Sequence, residues 1–246
     1  AFSTTNNNLV AFETDANNLY VPHTGIGNDK FSGVDGLWGT PFNDILVNSN
    51  AALAFATFRG EAGNDVIQGN ATTIEEVDYR DSPGGIRVTM TNNPAFPGFG
   101  NVLDGWGNSD TIRSIEYVRG SDFADAINMD DRANRVWGNA GDDRINGAGG
   151  NDVLDGGGGN DTLAGGRDDD TLTGGAGADA FVFRTGDGTD TITDFNAAEG
   201  DRLDLTGVAA FHGLSDLIIT RAGSNTIITL GSGLVLENVA SETLAP

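Results

Sequence analysis

Apolar side chains recur every nine residues through the middle of the chain. From Gly120 to Val182 seven units follow one another without a gap: GSDFADAIN, MDDRANRVW, GNAGDDRIN, GAGGNDVLD, GGGGNDTLA, GGRDDDTLT and GGAGADAFV. Their eighth place is Ile127, Val136, Ile145, Leu154, Leu163, Leu172 and Phe181. Neither a helix nor a sandwich strand needs a nine-residue period, so the pattern predicts a repeat architecture. Each unit divides into a six-residue polar turn and a three-residue strand. Side chains alternate across a strand, so position 8 points inward and positions 7 and 9 outward. Glycine supplies the backbone freedom and close approach that the turns require. Two units then make one coil, and coils stack at about 4.8 Å.

That stacking decides where the polar sixth place falls. Position 6 of one unit lies beside position 6 of the unit two further on. Asp125, Asp143, Asp161 and Asp179 share one edge, and Asn134, Asp152 and Asp170 share the other. Carboxylates about 5 Å apart repel by roughly 1 kcal/mol even in water. A hard divalent cation between turns reverses the sign by gathering carboxylate and carbonyl oxygens. Calcium suits such a site better than magnesium because it accepts many oxygens in irregular geometry.

The units match GGxGxDxUx, and on them the chain resembles the RTX calcium-binding nonapeptide family. The resemblance implies an all-β, right-handed parallel β-roll or β-helix solenoid with terminal caps and several bound Ca2+ ions. It also implies that each ion sits between adjacent coils, held by two aspartates and by turn carbonyls. Carried onto this chain, the ligands are Asp125, Gly138, Gly141, Asp143, Gly147, Gly150, Asp152, Gly156, Gly159, Asp161, Gly165, Asp170, Gly174, Gly177, Asp179 and Asp190. The best pairs are Asp143 with Asp161, Asp161 with Asp179, and Asp152 with Asp170. Asp125 joins Asp143, although its turn lacks the position-4 glycine. Three departures matter. Asn134 carries no charge, so its pairing with Asp152 is expected to be weak or empty. Asp168 replaces the position-4 glycine of its turn, against the geometry that glycine serves. The last unit, TGDGTDTIT, arrives two residues late and extends the second edge through Asp190.

The same clock survives upstream in damaged form, in TGIGNDKFS, GTPFNDILV and GEAGNDVIQ. These make Asp29, Asp44 and Asp65 further candidate ligands, with stacking partners that spacing does not assign. The stretch from Asp78 to Gly120 resembles the irregular coils of many RTX proteins. A solenoid must cover its ends, since a bare coil exposes core and strand edges. The expected organisation is therefore 1–23 as N-terminal cap or linker, 24–119 as irregular coils with inserts, 120–193 as the regular array, and 194–246 as C-terminal cap and secretion region. Within the last, DLIITRA, NTIITL and LVLENV alternate as short strands. Asp194 and Asp201 are candidate ligands at the junction.

Composition narrows the partners. The 246 residues hold 36 acids against 13 Lys plus Arg, a formal net charge of −23. That charge repels nucleic acid and anionic lipid and excludes both as partners. It also opposes metal-free folding, so binding and folding form one equilibrium. Cysteine is absent, which removes disulfides and thiol chemistry. Such a chain suits calcium-rich extracellular space, where modules bind at about 10⁻⁴ to 10⁻³ M. No stretch approaches the length of a membrane-spanning helix, and the start of the chain does not read as a signal peptide. The resemblance implies type I secretion from a Gram-negative cell, with which the end SETLAP is compatible.

Catalytic patterns do not emerge. The two histidines, His23 and His212, lie in different end regions, and neither HExxH nor GxSxG occurs. Tyr20 and His23 in NLYVPHTG are only a loose likeness to polysaccharide epimerases and lyases. Trp38, Trp106 and Trp137 are candidate aromatic contacts for sugar or protein. The leading expectation is a non-enzymatic extracellular structural protein, a surface-layer, matrix or adhesin component that self-assembles or meets cell-surface polysaccharide. The alternatives are a folding and secretion module of a larger exoenzyme, and a carbohydrate-binding module.

Overall fold

The computed structural model describes residues 13–14, 20–21, 36–39, 41–48, 55–70, 72–93, 95, 98–209, 211–213, 216, 218–222, 225–230 and 232–236. All the named elements are strands, and most pair in parallel as solenoid coils. Among the described residues no helix is long and apolar enough to cross a membrane. Asp29 and His23 lie outside the described residues. The chain divides into two compact units that meet in sequence after Ser121.

The first unit begins with a short antiparallel pair, β1 (Glu13–Thr14) and β2 (Tyr20–Val21). The coils follow: β3 (Gly36–Trp38), β4 (Ile45–Val47), β5 (Phe55–Arg59), β6 (Val66–Gln68) and β7 (Ile74–Asp78). After them come β8 (Arg87–Thr91), β9 (Phe99–Leu103), β10 (Ser109–Arg113) and β11 (Tyr117–Arg119). β3, β5, β7 and β11 pair in parallel, with Leu37, Phe58, Val77 and Val118 in one row. β4, β6 and β10 form the facing row through Leu46, Ile67 and Ile112. The hairpin β8–β9 is an insert: β9 pairs antiparallel with both β8 and β10 and widens that sheet. Every row residue is buried, as are Val88 and Val102 of the insert and Ile115 at the turn into β11. Full burial of such a side chain contributes about 1.5–3 kcal/mol.

The second unit is regular. It runs β12 (Ala126–Asn128), β13 (Arg135–Trp137), β14 (Arg144–Gly149), β15 (Val153–Gly158), β16 (Thr162–Arg167) and β17 (Thr171–Ala176). It ends with β18 (Ala180–Arg184), β19 (Asp190–Ile192), β20 (Arg202–Gly207), β21 (Ile218–Ala222), β22 (Asn225–Leu230) and β23 (Ser232–Leu236). Ile127, Ile145, Leu163, Phe181 and Leu203 align in one parallel sheet. Val136, Leu154, Leu172, Ile192 and Leu236 align in the other. The eighth column is thus the core, and its seven members in the regular array are buried. β21 to β23 form an antiparallel meander whose last strand joins β19 in parallel.

The structure corrects one local expectation. Strands β14 to β17 are six residues long, not three. They continue through the glycines that open the next unit, because these pair across coils: Gly157 stands beside Gly175 and Ala148 beside Gly166. Backbone pairing extends the strand where there is almost no side chain to pack.

Candidate metal centre

From Asp143 to Asp190 each turn of the array ends on a position-6 aspartate whose carboxylate reaches back to the coil before. The backbone N–H of Asp125 donates to Asp143 Oδ1 at 2.7 Å, Asp143 to Asp161 at 2.8 Å, and Asp161 to Asp179 at 2.9 Å. On the other edge the N–H of Asn134 donates to Asp152 and that of Asp152 to Asp170, both at 2.8 Å. The N–H of Asp170 donates to Asp190 at 3.1 Å. Both expected ladders are therefore assembled, and the late unit is placed on the second of them. A reverse stitch runs one position earlier. The N–H of Asn160 donates to Asp142 Oδ1 at 2.7 Å, that of Ala178 to Asn160 at 3.0 Å, and that of Thr189 to Asp169 at 2.9 Å. Position 6 ties each coil to the next through the later side chain, and position 5 through the earlier one.

Only one oxygen of each ladder carboxylate is used this way. Oδ2 of Asp143, Asp152, Asp161, Asp170 and Asp179 is buried without a hydrogen-bond partner. These oxygens point at the position-1 glycines. A Cβ added to Gly138 would lie 2.2 Å from Asp143 Oδ2 and 2.4 Å from the Gly156 carbonyl oxygen. At Gly147 the distances are 2.0 Å to Asp152 Oδ2 and 2.6 Å to Gly165 O, and Gly156, Gly165 and Gly174 face Asp161, Asp170 and Asp179 in the same way. Glycine is required there for space: any side chain would fill the cradle between carboxylate and carbonyl.

Burial without a counter-charge shifts these acids strongly. Asp143 and Asp152 are raised to about 8, Asp170 and Asp190 to about 7, and Asp161 to about 6. Desolvation is the leading cause; the single backbone hydrogen bond works against it, and neighbouring carboxylates add to it. An unpaired buried oxygen costs about 1–3 kcal/mol, more when charged. A hard cation removes both penalties at once. Among the described residues no three acidic or imidazole side chains converge on one point. The donor set is instead carboxylate oxygen with backbone carbonyl, the oxygen chemistry that calcium accepts.

The departures from the repeat now have structural answers. Asp168 adopts the left-handed conformation of the glycine it replaces, with φ 76°. Aspartate tolerates that region better than most side chains, and its Oδ2 accepts from Gly150 N–H at 3.1 Å. At Asn134 the amide, oriented by its surroundings, donates to the carbonyl oxygens of Arg132 at 2.9 Å and Asp130 at 3.1 Å. An amide donor thus occupies carbonyls of its own turn. Asp201 follows Asp179 at position 6, but Asp179 N–H (2.9 Å) and Asn196 N–H (2.7 Å) engage its two oxygens. Asp194 accepts from Gly174 and Gly175 N–H at 3.0 and 2.8 Å. Both of these aspartates terminate the stitching with backbone amides.

In the first unit Asp44 and Asp65 acquire the partners that spacing left unassigned. Asp44 N–H donates to Asp65 Oδ1 at 2.8 Å, and Asp65 N–H donates to Asp110 Oδ1 at 2.9 Å. Gly39 and Gly60 face Asp44 and Asp65 as the position-1 glycines do elsewhere. Asp65 Oδ2 is buried and unpartnered, and burial raises this acid to about 8. Asp110 was not among the expected ligands. Its signal is present in GWGNSDTIR, with Asp110 at the sixth place and Ile112 at the eighth. It differs from the others because the buried Tyr79 hydroxyl donates to its Oδ2 at 2.9 Å. The candidate aromatics are less available than outward positions suggest. Trp137 is half-buried under the Arg135 guanidinium, 4.7 Å from the ring centre, and Arg59 lies 5.9 Å over Trp38. Trp106 remains exposed, as does His212 beside Asp216.

The family described as RTX calcium-binding nonapeptide repeat (4 copies) matches residues 57–72, 130–163 and 155–192. The chain carries RTX calcium-binding repeats. The match covers the ladders from Asn134 to Asp190 and the turn of Asp65. Solved structures similar to this chain include the extracellular lipase LipA from Serratia marcescens. That likeness is 16% identical with TM-score 0.41, over 88% of this chain and 40% of the lipase. Another is the AlgE6R3 subunit of the Azotobacter vinelandii mannuronan C5-epimerase, 25% identical with TM-score 0.21, over 50% of this chain and 75% of that one. The chain thus spans 40% of the length of the lipase. No curated protein matches it.

Proposed function

We propose that this chain is a non-enzymatic, calcium-stapled structural module of the extracellular space, serving a surface layer, matrix or adhesin. The carrying observation is the row of buried Oδ2 atoms in both ladders, each aimed into a glycine cradle and none with a hydrogen-bond partner. Such a structure is stable only where calcium is abundant, at the millimolar levels found outside cells. The ladder carboxylates are already committed to stitching coils together, which favours a mechanical role over acid–base chemistry. Secretion by a type I route agrees with this: a chain of net charge −23 stays unfolded until it reaches calcium.

Light scattering with negative-stain microscopy tests the proposal, in millimolar calcium and again in excess chelator. Ordered sheets or filaments that dissolve on chelation are expected. A compact monomer that merely unfolds on chelation would sink self-assembly and leave the reading of a folding module for a larger exoenzyme.

A further inference from the structure

We infer that the start of β7 and the turn before β11 hold a second kind of divalent-cation site, built on glutamates and lying outside the nonapeptide pattern. Its donors are Glu75 Oε2, the Ser114 carbonyl oxygen and the Glu116 carboxylate. The inference rests on the calcium-binding reading of the chain, but none of these residues falls in the stretches that the RTX family matches.

Glu75 carries the argument. It is 0% exposed. Its Oε1 accepts from the Asn48 amide at 2.9 Å and from the Thr73 hydroxyl. Both donors are neutral, and Oε2 has no partner at all. A carboxylate held this way is out of water, and its second oxygen is left without a donor. The bare oxygen is aimed into a cradle. A Cβ added to Gly69 would stand 3.0 Å from Glu75 Oε2 and 2.2 Å from the Ser114 carbonyl oxygen. Ser114 has φ 51°, a conformation serine rarely adopts.

The placement follows the logic of the ladders with a longer acid. Glu75 and Glu116 each stand two residues before an inward valine, Val77 and Val118, and those valines are paired in register. Glu75 N–H donates to Glu116 Oε2 at 3.2 Å, the stitch that aspartates make elsewhere. The extra methylene of glutamate spans turns whose spacing is not nine residues, which is why no repeat pattern reveals them. Asn48 and Thr73 fix the orientation of Glu75 through its other oxygen and act as positioning residues. All the donors are hard oxygens, which selects calcium over softer metals.

The test is a metal count on the full chain. Protein stripped with chelator is dialysed against calcium, and bound calcium per chain is measured by atomic emission for wild type, Glu75→Gln, Glu116→Gln and the double variant. Glutamine keeps the size and one acceptor oxygen but removes the charge. Each single variant is expected to lose one ion, and the double variant the same one. An unchanged count in Glu75→Gln, or loss of two ions in the double variant, overturns the shared site. Wild-type crystals grown with calcium give a reading independent of variant folding: an ion peak against Glu75 Oε2 supports the site, and its absence overturns it. Wild type that binds no calcium would instead sink the calcium reading itself.

Discussion

Replacing Asp161 by Asn should change the sign of its effect on stability according to whether calcium is present. The amide keeps an oxygen for the Asp143 N–H, now at 2.8 Å, and puts a neutral group where the buried Oδ2 stands. Without metal, burial raises Asp161 from 3.8 to about 6, so near neutral pH the group is ionised in the folded chain as in the unfolded one, and folding carries the cost of burying that charge. Each tenfold change in acidity corresponds to about 1.4 kcal/mol, so removing this charge stabilises the metal-free fold by on the order of 2–3 kcal/mol. With calcium the balance reverses. Asp161 faces both Asp143 and Asp179, so it serves the ion on either side. An ion at 100 times its dissociation constant contributes about 2.7 kcal/mol, and two weakened ions remove on the order of 3–5 kcal/mol. Thermal unfolding by circular dichroism, with calcium and with chelator, reads both halves. An equal loss of stability in the two media would refute the reasoning, because it would make Asp161 a structural hydrogen-bonding group alone.

Two further outcomes follow from the same geometry. The ladder acids have folded values above the unfolded 3.8, at about 6 to 8, so the stability they allow is present at low pH and is lost as pH rises through that range. Metal-free protein should therefore gain folded content from about pH 8 down to about pH 5, while half-saturating calcium rises over the same window; chelated samples and calcium titrations followed by circular dichroism measure both. The neighbours Gly156 and Gly158 should respond oppositely to alanine. A Cβ at 156 meets Asp161 Oδ2 at 2.3 Å, whereas one at 158 finds nothing nearer than 4.0 Å. Gly156→Ala should abolish calcium-induced folding and Gly158→Ala leave it within about 0.5 kcal/mol; equal behaviour would show that the cradle is not needed.

The core and both regular ladders were legible because one register repeats seven times, and a single inward column with a polar column two places earlier admits one way of stacking. What was illegible depended on contacts between distant turns. Asp110 lies 45 residues from Asp65 because the β8–β9 hairpin intervenes, and Trp106 and Ser109 disguise its unit. Asp194 accepts from the Gly174 and Gly175 amides, partners that spacing alone does not bring there. The turn of Asp168 was expected to suffer from its missing glycine; the side chain can take the left-handed conformation and does. The six-residue strands escaped notice because glycine argues against a strand wherever side chains set the preference. Here the neighbouring coil sets it.

The opposed hydrogen bonds at positions 5 and 6 have a consequence for how such a chain can change length. A coil offers both a donor and an acceptor to the coil before it and to the coil after it, so any coil of the array can follow any other. Duplication or loss of 18 residues leaves every remaining partner in place. Loss of nine, such as residues 138–146, keeps the inward column but exchanges the edges, setting Asn134 in line with Asp161 instead of Asp152. The evolutionary quantum of this architecture is therefore the coil, not the nonapeptide, and deletion series in steps of nine should alternate between tolerated and damaged chains.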